Sequence, residues 1–442
     1  VVTCRAHARP RLLRRPMSLP SLRWLQIHRY EQFEPVRIEF SGQENLVLGI
    51  NGAGKTRLLR LIRAVLSLDF GELRDQVFDV EFELESVTAL DRHVRVRVGG
   101  RVRSDVIAQD DAPGQYPNMM GQRTMTLNAV LWFEVNGKRI SSELRDGQIT
   151  LVGGPGDVPE ILPHDGQGLL VWPDRFARRG DVASAMRAVY PLCESVMISE
   201  ADQEFEILTG EVQYSVNGSL PRGREIVIDP PERLTHLLRR DLYPLLFQLG
   251  FDMNRNGGSA DPPSAPFMFG RAIEGREKIH EQLLVRIQAA IGATQLRLVP
   301  KIVREKDELV ECRGLGLRVS FTDGTEVVES ELTFGQRRYL YTGLMLLSHP
   351  GEPILIDEVD NGLHPRLVET LLQLLADRQS FLASHNKIVI DYTNFDGPED
   401  VQRKVHIVQR GKDGRQSVLV LDDELTGLWD APVLTPALRR GI

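Results

Sequence analysis

The sequence predicts an α/β fold: a core of strand–loop–helix and β-α-β units, an antiparallel β subdomain, and an inserted helical lobe. Three observations predict it. Leu46-Val47-Leu48 reads as a buried strand, the glycine-rich stretch Gly49–Thr56 follows, and Leu58, Leu59, Leu61, Ile62, Val65 and Leu66 then recur at helical spacing. Two more short apolar runs, Ile354-Leu355-Ile356 and Phe381-Leu382-Ala383, flank a helical stretch from Pro365 to Leu375, the pattern of a β-α-β unit. Between these regions, Phe78, Val80, Phe82 and Leu84 alternate with Asp79, Glu81, Glu83 and Glu85, the period of a half-buried strand.

The stretch Gly49-Ile50-Asn51-Gly52-Ala53-Gly54-Lys55-Thr56 fits G-x-x-x-x-G-K-[ST], a loop whose backbone cradles phosphate. Glycines let the chain curl so that successive N–H groups face one anion, and the following helix adds its positive end. Asn51, Gly52, Ala53, Gly54, Lys55, Thr56 and Arg57 are therefore the predicted nucleotide-binding residues. Lys55 supplies charge for the β- and γ-phosphates, and the Thr56 hydroxyl is a predicted Mg²⁺ ligand.

Composition narrows the remaining classes. The chain has 442 residues, 42% hydrophobic and 26% charged, enough for a large globular core. Its net charge of -7 argues against a surface coated for nucleic acid, leaving only local patches such as Arg175, Arg178 and Arg179, or Arg239 and Arg240. Three scattered cysteines, Cys4, Cys193 and Cys312, give neither a disulfide framework nor zinc spacing, and fit a reducing cytoplasm. No apolar run approaches the roughly 18–20 residues of a membrane span. Residues 1–16 are arginine-rich without an apolar segment, and read as a disordered leader or a start assigned too early, with Met17 directly after them.

From there, Trp24 to Phe40 reads as two strands joined by a short turn, and the phosphate loop and its helix follow. Val94, Val96 and Val98 alternate with Arg95 and Arg97, a basic partner for the acidic strand before it, with a solvated sheet face as the plain reading of the charge. Asn136-Gly137, Asn217-Gly218 and Asp323-Gly324 are hairpin signals, because these pairs accept positive φ. Residues 152–168 read as a glycine- and proline-rich loop, 182–192 as a helix, and 196–198 as a strand. The lobe comprises a helix from Asp229 to Gly250 interrupted at Pro244, a polar loop, and a helix from Arg276 to Ile291 that stops at Gly292. The expected domains are a first part of the core with the β subdomain (17–228), the helical lobe (229–295), a second part of the core (296–425) and a tail (426–442).

The last third carries three signals whose order is informative. Leu332-Thr333-Phe334-Gly335-Gln336 precedes a helical run, Ile354–Ile356 ends in Asp357-Glu358, and Phe381–Ser384 ends in His385. Together with Gly49–Thr56, the set resembles the core of the ABC-type P-loop ATPases, as Walker A, signature, Walker B and switch histidine. Asn361-Gly362-Leu363-His364-Pro365 resembles one branch, the soluble RecF-, SMC- and OLD-like ATPases, including stand-alone ATP-binding proteins of bacterial antiphage and toxin systems. Thr333 stands where that signature usually has serine, and Phe334 where it has a smaller residue. Gln203 is the candidate metal-linked glutamine of the family's Q-loop, and Arg29 is either its basic residue before the first turn or a surface arginine.

Phosphoryl transfer to water needs neutralised charge, an oriented water and a base. Lys55, Thr56 and Mg²⁺ supply the first, with Thr56 as direct ligand and Asp357 reaching the metal at one remove or through water; Glu358 is the predicted catalytic carboxylate and His385 a γ-phosphate contact. The resemblance implies that Thr333, Gly335 and Gln336 hold the γ-phosphate of ATP bound to a second protomer, so an ATP-dependent homodimer is expected. It further implies control of a separate effector, a nuclease or toxin of bacterial defence, since the stretch after His385 is too short for a Toprim nuclease. A RecF-like ATPase that contacts DNA in repair or chromosome maintenance is the alternative, and a transporter nucleotide-binding subunit a third reading.

Overall fold

The computed structural model describes residues 21–70, 73, 76–88, 94–107, 124–135, 138–145, 148–152, 160–163, 196–198, 213–217, 283, 285–306, 309–348, 352–376, 378–386, 388–419 and 421. They belong to two compact units, Val1–Gly42 with Ala64–Glu194, and Gln43–Arg63 with Ser195–Ile442. The fold is α/β, with two antiparallel sheets and a mostly parallel one.

In the first unit, alternation makes an eight-stranded antiparallel sheet. Its strands are β1 (Ser21–Tyr30), β2 (Val36–Glu39), β4 (Phe78–Thr88), β5 (Val94–Ile107), β6 (Thr124–Val135), β7 (Lys138–Arg145), β8 (Gln148–Val152) and β9 (Glu160–Pro163), ordered β2-β1-β4-β5-β6-β7-β8-β9. Strand β3 falls in the other unit. The expected pairing of the acidic and basic strands is present, with Phe78 opposite Ser104 and Leu84 opposite Val98. Phe78, Val80, Phe82 and Leu84 are buried, and the charges between them form cross-strand pairs. Arg101 meets Asp79 through two bonds of 2.8 and 2.6 Å, Arg97 approaches Glu83 at 3.4 Å, and Arg23 pairs with Glu85. The face is charge-matched as the sequence suggested, but it is only partly solvated: Glu85 is buried, and Asp79 and Glu83 are largely covered by their arginine partners.

Val135 pairs with Lys138 across Asn136-Gly137, as the hairpin signal requires. Arg145 pairs with Gln148, the residues on either side of Asp146-Gly147 in the sequence. Strand β9 corrects the loop expected at 152–168: Glu160–Pro163 pairs with β8 despite the glycines and prolines around it. The helix expected at 182–192 lies outside the described residues.

The second unit is built on a six-stranded sheet, β10-β15-β16-β3-β17-β18, from Val196–Ile198, Ile354–Ile356, Ser380–Ser384, Glu44–Leu48, Val405–Arg410 and Gln416–Leu419. All neighbours run parallel except β17 and β18. Strands β3, β15 and β16 are buried at every position, as in a parallel sheet covered on both faces; their centres are apolar, while Glu44, Asn45, Ser380 and Ser384 are buried polar residues at the ends. A smaller antiparallel sheet joins β12 (Ala293–Lys306) and β13 (Leu309–Phe321), with β11 (Gln213–Asn217) and β14 (Glu326–Val328) also pairing with β13. Asp323-Gly324 turns β13 into β14, with Gly324 at φ +83°. The hairpin expected at Asn217-Gly218 falls outside the described residues from Gly218 onward; the strand before it pairs with distant Leu309–Arg313, a register that no local signal encodes.

Helix α1 runs Lys55–Ser67, α2 Phe334–Ser348, α3 Pro365–Leu375, α4 Ile388–Asp391 and α5 Pro398–Lys404. Of the helical lobe expected at 229–295, residues 283 and 285–291 are helical, Gly292 ends the helix at φ +77°, a left-handed cap that glycine takes without strain, and β12 begins at Ala293. Leu340, Leu344, Val368, Leu371, Leu375, Leu46, Ile356 and Leu382 share the core of this unit. Among the described residues no helix is long and apolar enough to cross a membrane.

Candidate functional site

Three neighbouring parallel strands, β15, β16 and β3, end at one edge of the six-stranded sheet. Ligands of open α/β sheets bind outside such carboxyl ends. The phosphate loop leaves β3, Asp357 and Glu358 leave β15, and His385 leaves β16. The strand carrying His385 therefore lies between the other two.

The loop uses its glycines in two ways. Gly52 and Gly54 sit at φ +78° and +113°, which side-chain-bearing residues rarely adopt. A Cβ on Gly49 would lie 2.3 Å from the Val408 carbonyl oxygen, so β17 also packs tightly against the loop. Asn51 and Gly52 are exposed, Ala53 and Lys55 are buried, and Thr56 and Arg57 are half-buried. Lys55 Nζ donates to the carbonyls of Gly49 at 2.9 Å and Ile50 at 3.1 Å. Burial pushes the Lys55 ammonium down from its usual range, opposed by the charges of Asp357, Glu358 and Asp360.

The turn after β15 connects all the motifs. Thr56 Oγ1 donates to Asp357 Oδ2 at 2.5 Å, and Asp357 Oδ1 accepts the Glu358 N–H at 3.1 Å. Glu358 holds φ +51°, an uncommon conformation for a residue with a side chain and one that concentrates at functional sites. Its carboxylate accepts from Asn361 Nδ2 at 2.9 Å. Val359 N–H donates to Ala383 O at 2.9 Å, and Ser384 Oγ donates to Asp360 Oδ1 at 2.5 Å. His385, next to that serine, is exposed at the strand end.

The Thr333–Gln336 segment starts α2 as a capping box. Gln336 N–H donates to Thr333 Oγ1 at 3.3 Å, while Gln336 Oε1 accepts from the Thr333 hydroxyl at 2.9 Å and its N–H at 3.2 Å. A Cβ on Gly335 would meet Gly362 O at 2.5 Å, and one on Gly362 would meet the Phe334 ring at 2.2 Å. The segment is thus wedged against the turn that follows Glu358. The Leu-His-Pro sequence beside it starts α3: Pro365 opens the helix and His364 Nδ1 accepts the Arg366 N–H at 3.3 Å.

The structure thus brings Lys55, Thr56, Asp357 and Glu358 together. Gln203, the candidate Q-loop residue, lies outside the described residues, as do Arg175, Arg178, Arg179, Arg239 and Arg240. Arg29 is an exposed residue of β1 in the first unit. Sequence reasoning missed Arg338, whose buried guanidinium bonds the carbonyls of Asp357 and Glu358, and Gln416, whose buried amide lies against Gly54. The only sequence signal for Arg338 is a charge among the core positions of α2; Gln416 gives none.

Among the described residues no cluster of three or more His, Cys, Asp or Glu would hold a metal unaided. The Thr56 hydroxyl and Asp357 carboxylate form a hard oxygen pair that suits Mg²⁺ shared with phosphate oxygens and water.

Residues 260–391, less than half of the chain, match the family described as "AAA domain, putative AbiEii toxin, Type IV TA system". No curated protein gives a significant match. Solved structures with similarity include an SmcHead bound to the C-winged helix domain of ScpA, at 14% identity and TM-score 0.45, covering 91% of this chain and 98% of that one. The SMC head domain from Thermotoga maritima matches at 16% identity and TM-score 0.39, covering 91% and 99%. The Smc head domain with an extended coiled coil bound to the C-terminal domain of ScpA, from Pyrococcus furiosus, matches at 12% and 0.42, covering 95% and 100%.

Proposed function

We propose that the chain binds MgATP at the β3–β15–β16 edge and hydrolyses it. The observation that carries this reading is the direct bond between the Thr56 hydroxyl and Asp357, which joins the phosphate loop to the paired carboxylates. Lys55 exchanges the carbonyls of Gly49 and Ile50 for phosphate oxygens, relieving a buried ammonium of its mismatch. Thr56 and Asp357 hold Mg²⁺, which when bound supplies charge neutralisation on the phosphates. Glu358 accepts a proton from the attacking water as its oxygen bonds the γ-phosphorus and the bond to the bridging oxygen breaks, releasing ADP and phosphate. His385 donates a hydrogen bond to the γ-phosphate.

In this reading Thr333, Gly335 and Gln336 meet the γ-phosphate held by a second copy, giving an ATP-dependent homodimer. Support comes from their place at the start of α2, where helix N–H groups and dipole favour an anion. We further infer that the dimer controls a separate effector, a nuclease or toxin in bacterial defence, a setting in keeping with the toxin–antitoxin description of the family that residues 260–391 match.

Glu358→Gln tests the site. The amide keeps the shape and loses the base, so ATP binding persists, turnover falls by about 10²–10⁴-fold, and a nucleotide-bound dimer accumulates in light scattering. Parental turnover in that variant would remove Glu358 from its role.

A further inference from the structure

Arg338 lies in α2, five residues beyond Thr333, and is only 3% exposed. One guanidinium nitrogen, Nη2, donates to Asp357 O at 2.8 Å and to Glu358 O at 2.7 Å. These two carbonyls flank the α-carbon of Glu358, the residue at φ +51°. A left-handed residue is costly unless its surroundings hold it, and a buried carbonyl needs a donor. Arg338 supplies a donor to both carbonyls from α2, joining the Asn361 N–H that Glu358 O also accepts at 2.9 Å.

The same helix touches the turn at a second place. Its first residues are packed so closely on Gly362 that neither Gly335 nor Gly362 has room for a methyl group. Displacing the Thr333–Gln336 segment therefore moves both ends of the turn that carries Glu358. Both bonds leave one nitrogen, so what lysine lacks is the reach and the fixed plane that hold that nitrogen between the two carbonyls: its ammonium sits on a shorter, flexible stem.

The geometry points to Arg338 as a positioning residue for hydrolysis, one that aims the Glu358 carboxylate and ties its aim to the position of the Thr333–Gln336 segment. The inference rests on the ATPase reading above and adds a route by which contact at the signature alters the catalytic carboxylate. Binding of MgATP does not require that route; turnover does.

The test uses the full chain with Arg338→Ala, which leaves a guanidinium-sized space. Turnover falls by roughly 100-fold while MgATP affinity stays within about threefold. Added guanidinium restores part of the lost kcat, and methylammonium at equal ionic strength does not. That recovery supports the proposal. Absence of recovery, or a kcat within about threefold of the parent without it, overturns it. Should Arg338→Ala fail to fold, Arg338→Lys and Arg338→Gln decide: lowered kcat at unchanged affinity supports the link, and parental kcat or a parallel loss of affinity rejects it. A parental chain without any ATP turnover would sink the ATPase reading and this inference with it; parental turnover with unaffected Arg338 variants sinks this inference alone.

Discussion

The phosphate loop and the Thr333–Gln336 segment are both glycine-containing helix starts in one unit, and they are built on opposite plans. Gly52 and Gly54 bend the first at positive φ, and its one long cation, Lys55, rests on the loop's own carbonyls. The second is closed by a capping box, with Thr333 and Gln336 bonding each other's backbone and side chains. A helix start has orphan N–H groups that something must satisfy. At the signature part of that partner is supplied by the side chains of Thr333 and Gln336; at the phosphate loop, in the reading proposed above, phosphate supplies it. An anion at the signature must therefore add to, or open, an existing cap.

The largest expected effect follows from that difference. Lys55→Ala removes a charged donor from the open loop, and MgATP affinity by calorimetry falls about 100-fold or more. Gln336→Ala, the matching deletion at the closed start, changes the affinity of the isolated chain by less than about threefold. Near-parental affinity for Lys55→Ala would erase the distinction.

Acid should also separate the two places. His406 of β17 sits opposite Val47, in the strand that feeds the phosphate loop, and burial pushes its imidazole down to about 4. Its folded value lies below the unfolded one, so the unfolded chain binds more protons between about pH 6.5 and 4 and stability falls as pH falls through that window. The loss amounts to about 3 kcal/mol at most. His406→Gln should flatten the curve by that amount in urea unfolding at stepped pH. The bonds from the signature helix to the turn after β15 come instead from Arg338, which keeps its charge throughout.

A smaller effect distinguishes the glycines. Gly54→Ala places a methyl group 2.6 Å from the Gln416 amide, and Gly335→Ala places one 2.5 Å from the Gly362 carbonyl oxygen. Each should cost about 1–3 kcal/mol. Gln416→Ala in the same chain relieves the crowding at Gly54, leaving the strain of φ +113°. No side-chain deletion relieves Gly335, because its obstacle is backbone. A double-mutant cycle on unfolding midpoints reads this directly.

Much of this unit was legible because short apolar runs, glycines and capping residues act locally. Ile354–Ile356, Pro365–Leu375 and the helix after Thr333 stand where periodicity puts them. Strand β9 was not legible, because Glu160–Pro163 is surrounded by the residues that usually mark a loop and gains its identity only from β8. The pairing of β11 with β13 was hidden for a related reason: register between distant segments leaves no period in either. At the site, the residue types that meet phosphate were readable, since chemistry and spacing constrain them. The bonds of Arg338, of Ser384 to Asp360 and of Asn361 to Glu358 were not, since an arginine in a helix or a serine ending a strand carries no record of what it will touch.

The smallest effect concerns the cap itself. Thr333→Ala removes the hydroxyl that accepts the Gln336 N–H and donates to the Gln336 side chain. Loss of such a cap costs about 1 kcal/mol, and urea unfolding should show it. Thr333→Ser keeps the hydroxyl and removes only the methyl group, so its stability should stay within a few tenths of the parent. Nucleotide affinity of the isolated chain should not follow either change, because the open helix start is elsewhere. If Thr333→Ser were as damaging as Thr333→Ala, the methyl group rather than the cap would be holding the segment. The closed helix start would then owe its shape to packing against Gly362, and the contrast with the phosphate loop would be one of crowding, not of capping.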